Sequence, residues 1–249
     1  MAVLALHDLG TDPRQVRAML PELPNVITPD LPAHGANPMP EDPESLSVYG
    51  MAQQVAERLP GEVHEHPLTV VGVGLGAAIG LRLALSGVFR MDRFVAIRPS
   101  FTHYSLPDNL VVYPVVAELL GTTTYGQGMD QVMAKLVTTG IYNDIRSASR
   151  AAAVEVERLV TAPEARGRRM RLAEIPMHPA FEPHEFAGFD VPTMAIADPS
   201  DPVHPLSIAT EWVDHLGAAM RVTPDRGRDP QAADSWIRRE LDGYLVGVR

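Results

Sequence analysis

Leu68-Thr69-Val70-Val71-Gly72-Val73-Gly74-Leu75-Gly76-Ala77-Ala78 decides the reading of this chain. An apolar run from Leu68 to Val73 has the look of a strand buried on both faces, as in a parallel sheet. It enters a glycine-rich turn and then an apolar helical segment reaching about Leu85. Strand, tight glycine turn and helix in direct succession are the local signature of an α/β sheet with a site at its carboxyl edge.

On the N-terminal side, Val3 to Leu6 forms a short apolar run, closed by His7-Asp8-Leu9-Gly10. Pro13 to Leu20 has helical spacing, and Asn25 to Thr28 reads as a second strand. Ser47 is placed to cap a helix from Val48 to Leu59, with Met51, Val55 and Leu59 on one face. On the C-terminal side, Phe94 to Ile97 is the next strand. Alternation resumes with a strand at Pro192 to Ala197, a helix at Leu206 to Leu216, a short strand at Met220 to Val222 and a helix from Gln231 to Leu245. Between Ser100 and Phe186 the pattern is helical only, including Met129 to Val137 and Asp144 to Val160. This predicts a mostly parallel sheet of about six strands, with residues 1–99 and 187–249 forming the core and 100–186 a helical cap.

The ordered motifs resemble those of the α/β-hydrolase superfamily over essentially the whole chain. Leu6-His7-Asp8-Leu9-Gly10 stands where that family has a strand ending in His-Gly, and Pro29-Asp30-Leu31-Pro32-Ala33-His34-Gly35 matches a second strand-end motif. Gly72-Val73-Gly74-Leu75-Gly76 occupies the place of the nucleophile elbow, Gly-x-Ser-x-Gly. After the cap, Asp198-Pro199-Ser200-Asp201-Pro202-Val203-His204-Pro205 fits the loop carrying the family's acid. The resemblance implies the α/β-hydrolase fold, with Asp201 as the acid and Asp198 as a lesser substitute.

Two departures set the functional expectation. The nucleophile position is Gly74, and the loop Pro224 to Pro230 puts Arg228 where the resemblance implies a histidine. A permanently protonated guanidinium is no general base. The residues around a vacant Gly74 are expected to serve binding instead: the N–H of Leu75 with one near Asp8 or Leu9 forms an oxyanion hole, and His7, Ser100 and His103 stand at the same carboxyl edge. Asp8 opposes anion binding there. Arg228 is expected either to hold a carboxylate or to neutralise Asp201. His204 and His34 read as loop-packing residues, and Arg166 to Arg171 as a solvated helix end. His178 and His184 fit no metal-ligand spacing.

The leading expectation is therefore a protein that binds a small apolar or amphipathic molecule under the cap, non-catalytic or promoting elimination, isomerisation or cyclisation. One alternative is a hydrolase using Ser100 or Ser200 with His103 or His204. Another is an NADP-binding protein using Gly72, Gly74 and Ala77, with Arg98 near the 2′-phosphate. A net charge of −10 lacks the footprint of nucleic-acid binding. No apolar run is long enough to span a bilayer, and Met1 to His7 lacks the basic start of a signal peptide. The chain has no cysteine, which removes disulfides and thiolate metal sites and suits the cytoplasm. No cofactor or metal is expected, and the sequence leaves the oligomeric state open.

Overall fold

The computed structural model describes residues 2–122 and 128–246. Six strands, all parallel, form one sheet: β1 (Ala2–Leu6), β2 (Val26–Ile27), β3 (Leu68–Val73), β4 (Met91–Ile97), β5 (Thr193–Ala197) and β6 (Ala219–Val222), in the order β2-β1-β3-β4-β5-β6. The helices are α1 (Pro13–Met19), α2 (Val48–Arg58), α3 (Leu75–Ser86), α4 (Val112–Thr122), α5 (Met129–Leu136), α6 (Gly140–Ala148), α7 (Arg150–Thr161), α8 (Met170–Glu174), α9 (Leu206–Leu216) and α10 (Pro230–Leu245).

The period-two alternation of strand side chains divides the apolar residues between two layers. Val3, Ala5, Val71, Val73, Val95 and Ile97 meet Val16 and Met19 of α1 and Ile237 and Leu241 of α10. On the other face Leu4, Leu6, Val70 and Phe94 meet α2, α3 and α9. That layer continues into α4 to α8, which all fall between β4 and β5. Burial on both faces explains why β3 carries an apolar run rather than an alternating one.

Local chemistry sets the element ends. Ser47 caps α2 by accepting from the N–H of Gly50, as its position predicts. The helix expected over Asp144 to Val160 is two helices. Ser149 is extended (φ −149°, ψ 112°) between them, and its side chain accepts from the Ala152 N–H to start α7. A residue that hydrogen-bonds the backbone this well favours a new helix start over continuation. In α5, Val132 and Leu136 are buried, while Val137 is exposed at the helix end.

The arginines expected on a solvated helix end are not free. Arg171 is buried, and it and Arg168 donate to the carbonyl of Ala33 at 3.0 and 3.2 Å. These bonds tie the start of α8 and the segment before it to the loop around His34. Among the described residues no helix is long and apolar enough to cross a membrane.

Candidate functional site

Parallel strands deliver their C-terminal ends to one edge, and four of them supply the site. Asp8 follows β1, Gly74 follows β3, Arg98 follows β4, and Asp198, Asp201 and His204 follow β5. Gly74 has φ 50° and ψ −110°, a conformation that side-chain-bearing residues rarely adopt. Its neighbours Gly72 and Gly76 let β3, α3 and β1 touch. A Cβ on Gly72 would collide with the Gly76 backbone, and one on Gly76 with the carbonyl of Leu6. The turn between β3 and α3 is thus tight, at positive φ, and carries no side chain at Gly74.

The space beside Gly74 is filled. The Asp8 carboxylate lies directly against Gly74, and a Cβ added there would stand 2.5 Å from Asp8 Oδ2 and closer still to Cγ and Oδ1. Oδ1 accepts from the N–H of Leu9 at 2.7 Å and of Leu75 at 2.8 Å. These are the two donors expected to form an oxyanion hole, and the protein's own carboxylate takes both. The expected opposition of Asp8 to anions is therefore an occupation of the hole.

Asp8 Oδ2 accepts from His204 Nε2 at 2.8 Å, and His204 Nδ1 meets Asp201 Oδ2 at 2.9 Å. With a carboxylate on each nitrogen, both ring nitrogens act as donors and the ring is an imidazolium. Burial works against that charge, but Asp201 and Asp8 prevail and raise the His204 pKa to about 9. Burial likewise opposes the ionised form of Asp8. His204 first, then Arg98 and the Leu75 N–H, nevertheless hold its pKa below the usual carboxylate range. Asp201 is also held low, against burial, by His204, Arg98 and the Val203 N–H. Its Oδ1 takes the N–H groups of Val203 and His204, which fixes the turn that aims the imidazole.

The array continues from Asp201 towards the surface. Arg98 Nη1 lies 3.0 Å from Asp201 Oδ2 and 3.1 Å from Glu155 Oε2 of α7, and Arg226 Nη2 lies 2.9 Å from Glu155 Oε1. Arg226 Nε reaches Asp234 of α10 at 3.6 Å. The result alternates in sign, Asp8–His204–Asp201–Arg98–Glu155–Arg226–Asp234. The donor atoms of Glu155, Asp201 and His204 lie within 4.8 Å of one another. Distance alone would suit a divalent cation, but the Arg98 guanidinium already bridges both carboxylates and supplies the cation.

A cavity of about 1000 Å³ opens over Asp8 and His204, with Leu9, Tyr113, Glu155 and Val203 also in its wall. Of the residues expected to touch a ligand, Asp8 and Leu9 line it. His7, Leu75, Ser100 and His103 are not among its lining residues. His7 is buried and structural: Nε2 accepts from the Leu31 N–H, so Nδ1 carries the proton and donates to the carbonyl of Asp8. Desolvation keeps it neutral. His34 is likewise a loop residue, accepting from the Gly10 N–H at 2.9 Å and donating to the Pro32 carbonyl. Ser100 is buried, and the half-exposed His103 pairs with Glu211 at 2.8 Å.

The contacts bear on three expectations. Arg228 is exposed on the loop before α10, and the cation on Asp201 is Arg98, which arrives from the adjacent strand. Ser200 donates to Asp198 and Asp225, and no hydrogen bond joins Ser100 or Ser200 to a histidine among the described residues. For the NADP reading, a carboxylate stands at the N-terminus of α3 and Arg98 pairs with Asp201 and Glu155. His204, expected to be packing, is the centre of the array. Its signal was the Asp-x-x-His spacing of Asp201 and His204. Glu155 and Arg226 had no signal, since only the fold brings them to Arg98.

No family model and no curated protein sequence matches this chain. Solved structures do. A hydrolase from Pseudomonas aeruginosa is 20% identical with a TM-score of 0.67, covering 99% of this chain and 90% of that one. MenH from S. aureus is 17% identical with a TM-score of 0.70, covering 99% and 92%. The enol-lactonase from Burkholderia xenovorans is 18% identical with a TM-score of 0.67, covering 98% and 91%. With the parallel six-stranded sheet and the glycine elbow between β3 and α3, this likeness over the whole chain establishes that the protein has the α/β-hydrolase fold.

Proposed function

We propose that this protein binds a small amphipathic molecule in the cavity between the sheet edge and a cap of residues 100–186, and that it does not carry out acyl transfer. The observation that carries this reading is the position of the Asp8 carboxylate, against Gly74 and on the N–H groups of both Leu9 and Leu75. Acyl transfer needs a nucleophile, a free base and donors aimed at the developing oxyanion. Here the nucleophile's place holds a carboxylate of depressed basicity, the imidazole is protonated, and the donors are occupied. A carboxylate that already accepts three hydrogen bonds and whose pKa is low is a weak nucleophile and a weak base.

The same features favour binding over elimination, isomerisation or cyclisation. Asp201, the residue first considered as base, accepts from His204, Arg98 and two backbone N–H groups. It has no lone pair directed at the cavity through which to take a proton. Both N–H groups of His204 are engaged, so it is no free acid. A cytoplasmic setting, which the cysteine-free composition suits, is part of this proposal.

The test is labelling of the folded protein with a fluorophosphonate, together with turnover of short p-nitrophenyl esters. The expected result is no adduct by mass spectrometry and no turnover above that of the heat-denatured protein. Stoichiometric labelling of a serine would overturn the proposal.

A further inference from the structure

The cavity floor has a bias in its hydrogen-bonding inventory that restricts what it takes. The backbone and imidazole donors around Asp8 are consumed internally. The N–H groups of Leu9 and Leu75 go to Asp8 Oδ1, and the two ring N–H groups of His204 go to Asp8 and Asp201. Acceptors remain. Asp8 Oδ2 receives one hydrogen bond, from His204, and a carboxylate oxygen has room for two. Tyr113 of α4 lines the same cavity, is 5% exposed, and its hydroxyl has no hydrogen-bond partner among the described residues. Its oxygen is therefore free to accept, and its O–H free to donate, at the cavity.

Charge acts in the same direction. The alternating array begins and ends on a carboxylate: Asp8, Asp201, Glu155 and Asp234 stand against His204, Arg98 and Arg226, leaving one net negative charge. Desolvation, then the fields of Asp8, Glu155 and Asp201, push the Tyr113 pKa well above its ordinary value, so the phenol is neutral and sits in a negative potential. Arg14 and Arg158, which also line the cavity, are exposed. Their charges are screened by water in a way those of the floor are not.

We infer that the ligand presents a protonated amine to Asp8 and Tyr113 at the cavity floor, with its apolar part along Leu9, Val156 and Leu159, which line the walls. A carboxylate or phosphate finds one donor there, the Tyr113 O–H, and brings negative charge to a floor that is already net negative. This inference rests on the binding function proposed above and names the ligand class for it.

The experiment compares three probes of one length, n-hexylammonium, n-hexanol and hexanoate, by titration calorimetry at pH 7 with the intact protein. The expected result is that hexylammonium binds at least about tenfold more tightly than either other probe, the range of a charge-assisted hydrogen bond. Tyr113→Phe is expected to weaken hexylammonium about three- to tenfold and to leave hexanol less affected. Asp8→Asn, if it folds, is expected to remove the preference for ammonium over alcohol. Tyr113→Phe leaves the charged array intact and keeps the test decisive should Asp8→Asn unfold. Equal or tighter binding of hexanol or hexanoate overturns the amine assignment and leaves the binding function standing. Binding of none of the three overturns both.

Discussion

Gly74→Ser, the change that restores a nucleophile in name, is expected to fail, for a reason that can be measured. A side chain at Gly74 must accept φ 50° and ψ −110°, which costs on the order of 1–3 kcal/mol. Its Cβ also falls 2.5 Å from Asp8 Oδ2 and closer to Oδ1. Asp8 cannot step aside cheaply, because Leu9, Leu75 and His204 all hold it. Overpacking of this kind adds about 1–3 kcal/mol. The two contributions separate in a double-mutant cycle. In an Asp8→Gly background the collision disappears and the backbone cost remains, so the sites should couple by about 1–3 kcal/mol. Urea unfolding of the four proteins reads this directly.

The same cycle has a chemical readout. Asp8 Oδ2 is 2.8 Å from His204 Nε2, so a hydroxyl on a Cβ beside that oxygen comes within reach of the imidazole. Removing Asp8 frees the Leu9 and Leu75 N–H groups and lowers the His204 pKa, while Asp201 still orients the ring. The double variant, Asp8→Gly with Gly74→Ser, should therefore be labelled by a fluorophosphonate and Gly74→Ser alone should not. Each recovered oxyanion donor is worth about 10²–10³ in turnover. Strictly additive stabilities, or labelling of the single variant as fast as the double, would refute the reasoning.

Stability should fall as pH rises from 6.5 towards 9, by on the order of 3 kcal/mol, because the folded protein holds the His204 proton more tightly than the unfolded chain does. It should also fall in acid, below the ordinary carboxylate pKa, as the depressed groups Asp8 and Asp201 take up protons. Urea midpoints across pH check both limbs, and a rise in stability between pH 6.5 and 9 would contradict the first. Arg98→Ala strands Asp201 and Glu155 and is expected to cost about 3–5 kcal/mol, whereas Arg228→Ala, on an exposed loop, should stay within about 0.5 kcal/mol. Thermal unfolding distinguishes them, and comparable losses would be evidence against the assignment of the buried cation. His34→Phe removes an acceptor from the Gly10 N–H and a donor to Pro32, and should lower stability by about 1–3 kcal/mol. An unchanged melting temperature would deny it that loop role.

The sequence by itself determined the sheet and the elbow, because those features are local. A parallel strand buried on both faces is apolar along most of its length, and a turn at positive φ packed between β1 and α3 favours glycine. Leu68 to Gly76 state both conditions without reference to the rest of the chain. Helix starts were legible where a capping residue stood in place, as at Ser47, and misread where Ser149 breaks an otherwise helical run. The identities of Asp8, Gly74 and Asp201 were also visible, and so was the pair of N–H groups at the elbow. What those N–H groups bind was decided only in the folded chain. Asp8 and His204 are 196 residues apart and Arg98 and Asp201 are 103 apart, and electrostatic partners at such separations leave no periodicity to read. Arg228 was assigned from its order in the chain, but a guanidinium pairs with the carboxylate it can reach. The strand order β3-β4-β5 sets Arg98 beside Asp201 and leaves Arg228 in water.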